Sequence, residues 1–209
     1  MGEEGLISIL IIGFLLGIKH AIEPDHVIAV STIASQSKKL SRSSLAGVFW
    51  GIGHTATLFV VGMAFIVMKQ SLSEKWTMSL EFAVGIMLVY LGVKSIKKNQ
   101  KYEHSSYGKS MIVGAIHGMA GSAALVVLTM ATVETVAQGA LYILVFGVGT
   151  VAGMLLFTTC IGISLLWAAK NELLNRFAIR SVAVLSTIYG IYYMYDLGVT
   201  EGLFELWMR

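Results

Sequence analysis

The sequence predicts an all-α polytopic membrane protein: six transmembrane helices forming two inverted three-helix repeats, with the first helix broken at Pro24. Three observations carry this. Charged residues make up 13% and hydrophobic residues 56% of the 209-residue chain, against about 25% charge in a soluble domain, so most of the surface is unsuited to water. Six segments are apolar over roughly the 20 residues a bilayer crossing needs. Positive charge collects in alternate links between those segments, which reports orientation in a membrane and not binding to nucleic acid.

The first segment runs from about Gly5 to Ala34 and is interrupted by Lys19-His20-Ala21-Ile22-Glu23-Pro24-Asp25-His26. It follows Glu3 and Glu4 instead of a basic stretch and lacks a small-residue cleavage site, so it reads as a retained helix and not a leader. The second runs from about Ser44 to Met68, the third from about Met78 to Ile96, and the fourth from about Ser110 to Val133. The fifth, about Gly139 to Ala169, is longer than one crossing needs, so it tilts or projects. The sixth runs from about Ile179 to Leu197.

Lys38, Lys39 and Arg42 lie in the first link, Lys94, Lys97, Lys98, Lys101 and Lys109 in the third, and Lys170, Arg176 and Arg180 in the fifth. The opposite side has only Lys69, Lys75 and Arg209. The positive-inside rule then places both termini outside the cytoplasm.

An internal repeat supports the architecture. Gly17-Ile18-Lys19-His20 is echoed by Gly114-Ala115-Ile116-His117, and Gly51-Ile52-Gly53-His54-Thr55 by Gly147-Val148-Gly149-Thr150-Val151. Gly85-Ile86 before Tyr90 is echoed by Gly190-Ile191 before Tyr195. One transmembrane domain over residues 1–209 would comprise repeats at about 5–97 and about 109–198. Three helices per half make the repeats opposite in orientation, the plan of secondary transporters whose substrate site lies near the midplane.

The chemistry concentrates in residues 19–26. Lys19, His20, Glu23, Asp25 and His26 fall about 21 Å into the first helix at helical rise, and charge at that depth is expensive. The stretch must line a cavity or be buried in protein. Pro24 has no N–H, so the helix should kink or unwind near His20 to Glu23, leaving the His20 carbonyl without its helical partner. In an unbroken helix Asp25 would point away from His20. A break lets His20, Asp25 and His26 converge.

Imidazole nitrogen with carboxylate oxygen suits Ni²⁺, Co²⁺, Cu²⁺ or Zn²⁺ better than Mg²⁺ or Ca²⁺. His54, between glycines that permit close helix approach, is the fourth candidate ligand. Asp25 alternatively holds an imidazole through its second nitrogen, which leaves open whether Glu23 or Asp25 touches the ion. His117 occupies the matching place in the second half. A membrane histidine can also simply hydrogen-bond a neighbouring helix, a reading that stands open for His54 and His117. Glu81 on the third helix pairs with a histidine or Lys19, or sits near the interface. His104 reads as a solvated loop residue, and Cys160 and the methionines as packing.

These residues resemble a known family. Lys19-His20-Ala21-Ile22-Glu23-Pro24-Asp25-His26-Val27 is similar to the Arg-His-Ala-x-Asp-Ala-Asp-His-Ile signature of the nickel/cobalt transporter family, and Gly53-His54-Thr55 to its Gly-His-Ser/Thr signature. His117-Gly118-Met119-Ala120-Gly121-Ser122-Ala123 resembles the motif of the six-helix UreH-like branch, whose members are often linked to urease maturation. The resemblance implies a metal permease of the cytoplasmic membrane, with nickel or cobalt as transported substrate and no permanently bound cofactor. It implies that His20, Asp25, His26 and His54 bear on metal recognition, with Glu23 at the acidic position between them. Thr55, His117 and Ser122 stand in the matching motifs as supporting or pathway residues. The signature's Arg is Lys19 here, and Pro24 replaces a small residue.

The leading expectation is therefore a non-enzymatic carrier for uptake of Ni²⁺ or Co²⁺, its partners the ion and the lipid bilayer, with a homo-oligomer left open. The alternatives are efflux of metal or anion for resistance, and a membrane assembly factor without transport. A thiol-disulfide carrier needs two cycling cysteines, and Cys160 is the only one.

Overall fold

A computed structural model describes residues 3–37, 39–70, 73–97 and 107–208. Lys38, Lys98, Lys101, His104 and Arg209 lie outside the described residues, so the sequence readings on them rest on the sequence alone. Every regular element described is helical: α1 (Glu3–Ala21), α2 (Pro24–Ala34), α3 (Leu40–Met68), α4 (Glu74–Lys97), α5 (Tyr107–Ala120), α6 (Ser122–Thr132), α7 (Val136–Ala168), α8 (Glu172–Tyr195) and α9 (Leu203–Met208). A π-helical turn, Asp196–Thr200, follows α8. Among the described residues five helices are long and apolar enough to cross a membrane, making six spans if the bent pair α5 and α6 counts as one. Their outward faces carry Ile7, Ile11, Val60, Val67, Leu156 and Ile188, the apolar cover a lipid environment requires.

The break in the first segment follows from Pro24. Glu23, immediately before it, is extended (φ −63°, ψ 145°), because the proline ring disfavours the helical region for its predecessor. Pro24 then opens α2, where its missing N–H and fixed φ are suited to the first turn. One expectation is corrected here. The His20 carbonyl is not orphaned: the Glu23 N–H donates to it at 3.1 Å, and the Ile22 N–H to the Lys19 carbonyl at 3.1 Å. The chain tightens by i→i−3 bonds before it breaks.

The fourth segment holds a difference from the sequence reading. It is not one helix but two, α5 and α6, with Tyr107–Ala120 and Leu125–Thr132 inclined at 60°. The break falls at Gly121, and the Ser122 hydroxyl donates back to the Met119 carbonyl at 2.8 Å across it. α7 is 33 residues long, about 50 Å at helical rise, as its apolar length foretold. A capping box starts it: the Gln138 N–H donates to the Thr135 hydroxyl, and the Gln138 side chain accepts from the Thr135 N–H.

α3 packs on both α5 and α7, α1 on α7, and α4 on α8, while α2 reaches into the interior among α3, α4, α7 and α8. Glycines set these approaches. A Cβ on Gly17 of α1 would overlap the Phe146 carbonyl of α7, and one on Gly114 of α5 would overlap the Trp50 carbonyl of α3. Gly149 of α7 stands against the Phe14 carbonyl and Gly53 of α3 against that of Met111. α4 and α8 meet at Gly85 and Gly190, and the Ser186 hydroxyl donates to the Leu88 carbonyl at 2.9 Å. Two apolar clusters fill the interior, one around Trp50, Val84, Leu88 and Met154, the other around Leu58, Leu125, Tyr142 and Phe146. The polar residues of the broken helix lie near both.

Candidate metal centre

Four of the chain's five histidines meet at the helix breaks. His20 ends α1, His26 stands in the first turn of α2, His54 lies in the middle of α3, and His117 lies in the last turn of α5. The glycine seams bring their helices close enough for the rings to touch. His26, His54 and His117 are buried. The Trp50 ring stacks on His54 with centroids 4.9 Å apart and meets His26 edge-on. Phe146 stands beside His20, 5.4 Å between centroids.

The two acidic residues have separate partners, and this sharpens the sequence reading. Glu23 sits at the N-cap of α2 but makes no side-chain capping bond. Its Oε2 instead lies 2.9 Å from His20 Nδ1. Asp25 Oδ1 lies 2.8 Å from His26 Nδ1. A carboxylate only accepts, so each Nδ1 carries the proton, and in the neutral rings each Nε2 presents a lone pair. Those Nε2 atoms face one another: His26 to His20 at 3.2 Å and His20 to His54 at 3.1 Å. The His20 and His26 nitrogens are both acceptors, and two acceptors at such a distance repel unless a cation lies between them.

The spacing fits a metal's ligand shell. Nitrogens each about 2.05 Å from an ion lie about 2.9 Å apart at 90° and about 3.3 Å apart at the tetrahedral angle. The observed separations fall between those values. Carboxylates on the far nitrogens are the usual outer partners of metal-bound histidine, fixing tautomer and ring orientation. Glu23 and Asp25 thus both stand behind imidazoles, and neither belongs to the converging Nε2 set.

The other sequence candidates are placed as follows. The His117 Nε2 lies 3.8 Å from Asp25 Oδ2, the carboxylate oxygen other than the one paired with His26. Thr55 is turned to α7, where its hydroxyl donates to the Gly147 carbonyl at 3.4 Å, and Ser122 serves the bend of α5 and α6. Among the described residues Glu81 pairs with neither a histidine nor Lys19; its carboxylate faces Tyr193. A cavity of about 170 Å³ reaches His20 from outside, lined by Lys19, Glu23, Gly121, Leu125 and Phe146 among others. Gly121 as a wall of this cavity was not legible from sequence; its only signal was small size near His117.

Comparison with known proteins agrees with this chemistry. Residues 6–96 match the family described as NicO, high-affinity nickel-transport protein. Over its whole length the chain is 56% identical to the urease accessory protein UreH of Bacillus sp. strain TB-90, all of which it covers. The chain belongs to the nickel/cobalt transporter family, in its UreH-like branch. This family member is also 24% identical to a putative nickel/cobalt efflux system, MJ1092 of Methanocaldococcus jannaschii, with 86% of each chain covered. It is 26% identical to the chloroplast protein FOR GROWTH AND FERTILITY 2 of Arabidopsis thaliana over 72% of the chain and 46% of that protein. No solved structure matches the chain. Family and apolar helices together make it a multi-pass membrane protein.

Proposed function

We propose that this protein carries Ni²⁺, and with it Co²⁺, into the cytoplasm through a site formed by the Nε2 atoms of His20, His26 and His54. The observation that carries the reading is the meeting of three imidazole Nε2 atoms at 3.1 and 3.2 Å, two of them on rings backed by a carboxylate. Neutral nitrogen donors favour late first-row divalent ions over Mg²⁺ and Ca²⁺, which prefer oxygen. Glu23 and Asp25 together offset the charge of one divalent ion, so the loaded site brings little net charge into the low-dielectric interior.

The remaining parts of the reading follow from the same plan. The protein sits in the cytoplasmic membrane with both termini outside, and its two halves are inverted repeats. What supports the repeat is the pairing of the glycine seams: Gly17 against Phe146 answers Gly114 against Trp50, and Gly149 against Phe14 answers Gly53 against Met111. The name of the Bacillus relative supports a role in supplying nickel to urease. An inside-negative potential of 100 mV favours a divalent ion by about 4.6 kcal/mol, roughly three decades of concentration.

The test is accumulation of radioactive nickel at nanomolar supply in cells expressing the wild type, His20→Ala, His26→Ala or His54→Ala, with membrane expression matched. Each variant is expected to lose at least tenfold. Wild-type accumulation in all three would overturn the site. The resemblance to a putative efflux system favours a second reading, export. Flux from vesicles of known orientation decides between them: metal leaving the cytoplasmic face would overturn uptake.

A further inference from the structure

Beyond the three-histidine cluster, a second set of donors lies at the Asp25 oxygen that is not paired with His26. His117 is 1% exposed, and its Nε2 is buried with no hydrogen-bond partner. Its Nδ1 lies 3.2 Å from the Val113 carbonyl, one turn back on α5. A carbonyl accepts, so the Nδ1 carries the proton and the Nε2 of the neutral ring is a lone pair. The atom opposite it is Asp25 Oδ2 at 3.8 Å, beyond hydrogen-bond reach. A buried acceptor and a partly exposed one thus face each other across a gap with nothing to share. For ligand bonds of about 2.1 Å that gap spans an ion at an angle of about 130°. Among the described residues, Asp25, His26 and His117 form one of two groups whose ligand atoms lie within 4.8 Å of one another; His20, His26 and His54 form the other.

His26 belongs to both groups. Its Nε2 faces His20, its Nδ1 faces Asp25, and its ring centroid lies 5.0 Å from that of His117. The external cavity touches His20 and Glu23 but not Asp25 or His117. We propose that Asp25 and His117 form a second station for the divalent ion, which an ion arriving from the cavity reaches after the three-histidine station, with His26 as the shared wall. The step exchanges donors without any bond to carbon or hydrogen being made. The ion leaves the Nε2 atoms of His20 and His54, and takes up Asp25 Oδ2 and His117 Nε2. The substrate class and the order of stations rest on the function proposed above; the existence of a second donor set does not.

The experiment titrates Co²⁺ alone into the purified full-length protein in detergent and follows the visible absorption of the bound ion. The wild type is compared with His20→Ala/His54→Ala, and with the same double variant carrying His117→Ala, His117→Gln or Asp25→Asn. Elution profile and helical circular dichroism select folded variants, and the glutamine variant keeps the volume of the ring should alanine not fold. The double variant is expected to bind at least 100-fold more weakly than the wild type yet still to bind. Each third substitution is expected to weaken that residual binding at least tenfold further. A double variant that binds no Co²⁺, or whose residual affinity is unchanged when His117 is replaced, overturns the second station. A double variant that binds as tightly as the wild type instead sinks the three-histidine site, and the His117 arm then judges the second station by itself.

Discussion

Removing the Glu23 carboxylate separates ring orientation from ligation. Glu23 Oε2 lies 2.9 Å from His20 Nδ1, with the Glu23 side chain 48% exposed and that of His20 16%. Loss of such an outer partner typically lowers metal affinity by about 10- to 100-fold, or about 1.4–2.7 kcal/mol. Because Glu23 is half exposed, water can replace it on the ring and the charge is screened. Glu23→Ala should therefore fall at the lower end, about tenfold. Glu23→Gln keeps an acceptor for the Nδ1 proton and loses only charge, so it should cost less. Helical content should not change, since Glu23 makes no side-chain cap to α2. The assay is competition for Ni²⁺ between the purified protein and a chromogenic chelator. Wild-type affinity in Glu23→Ala alongside lost affinity in His20→Ala would refute the idea that this carboxylate holds the ring.

Three further outcomes test the packing around the site. Gly114→Ala sets a Cβ against the Trp50 carbonyl, where backbone faces backbone and neither yields. It should cost about 1–3 kcal/mol, read as a lower thermal aggregation midpoint, and should weaken Ni²⁺ binding because Trp50 stacks on His54. At Gly121 a Cβ would meet His20 Nε2 and Cε1 at an ordinary 3.7 Å, so Gly121→Ala should fold and bind normally. Gly121→Leu should fill the cavity and slow Ni²⁺ flux in vesicles with little loss of stability. Arg176→Ala removes an exposed ion pair with Glu172 and should change stability by no more than about 0.5 kcal/mol, seen as an unchanged aggregation midpoint.

The parts of the fold that follow from local rules were legible in the sequence. Pro24 announced the first break because its ring acts on its own neighbours. The long apolar runs foretold the spans because lipid imposes their length. The second break was not legible, since Gly121 carries no obligatory effect on the backbone and its bend depends on what packs around it. His20, His26 and His54 could be gathered from sequence because a break and a glycine-lined helix were both visible. The assignment of Glu23 to His20 and Asp25 to His26 could not, because it turns on side-chain directions set by one extended residue. Tyr193 as the partner of Glu81 was equally hidden, as the two lie on α4 and α8 and meet only when those helices pack.

The glycine seams have a mechanical consequence. Where α1 meets α7 and α3 meets α5, carbonyl oxygens occupy the spaces left by missing side chains at Gly17, Gly149, Gly53 and Gly114. Sliding either pair by one residue would drive a neighbouring side chain into a carbonyl, so these helices resist shear as a toothed rack does. Any opening and closing of the site must leave the teeth engaged. The freedom to move then belongs to the short half-helices α2 and α6, each hinged at its own break and each starting beside the histidines.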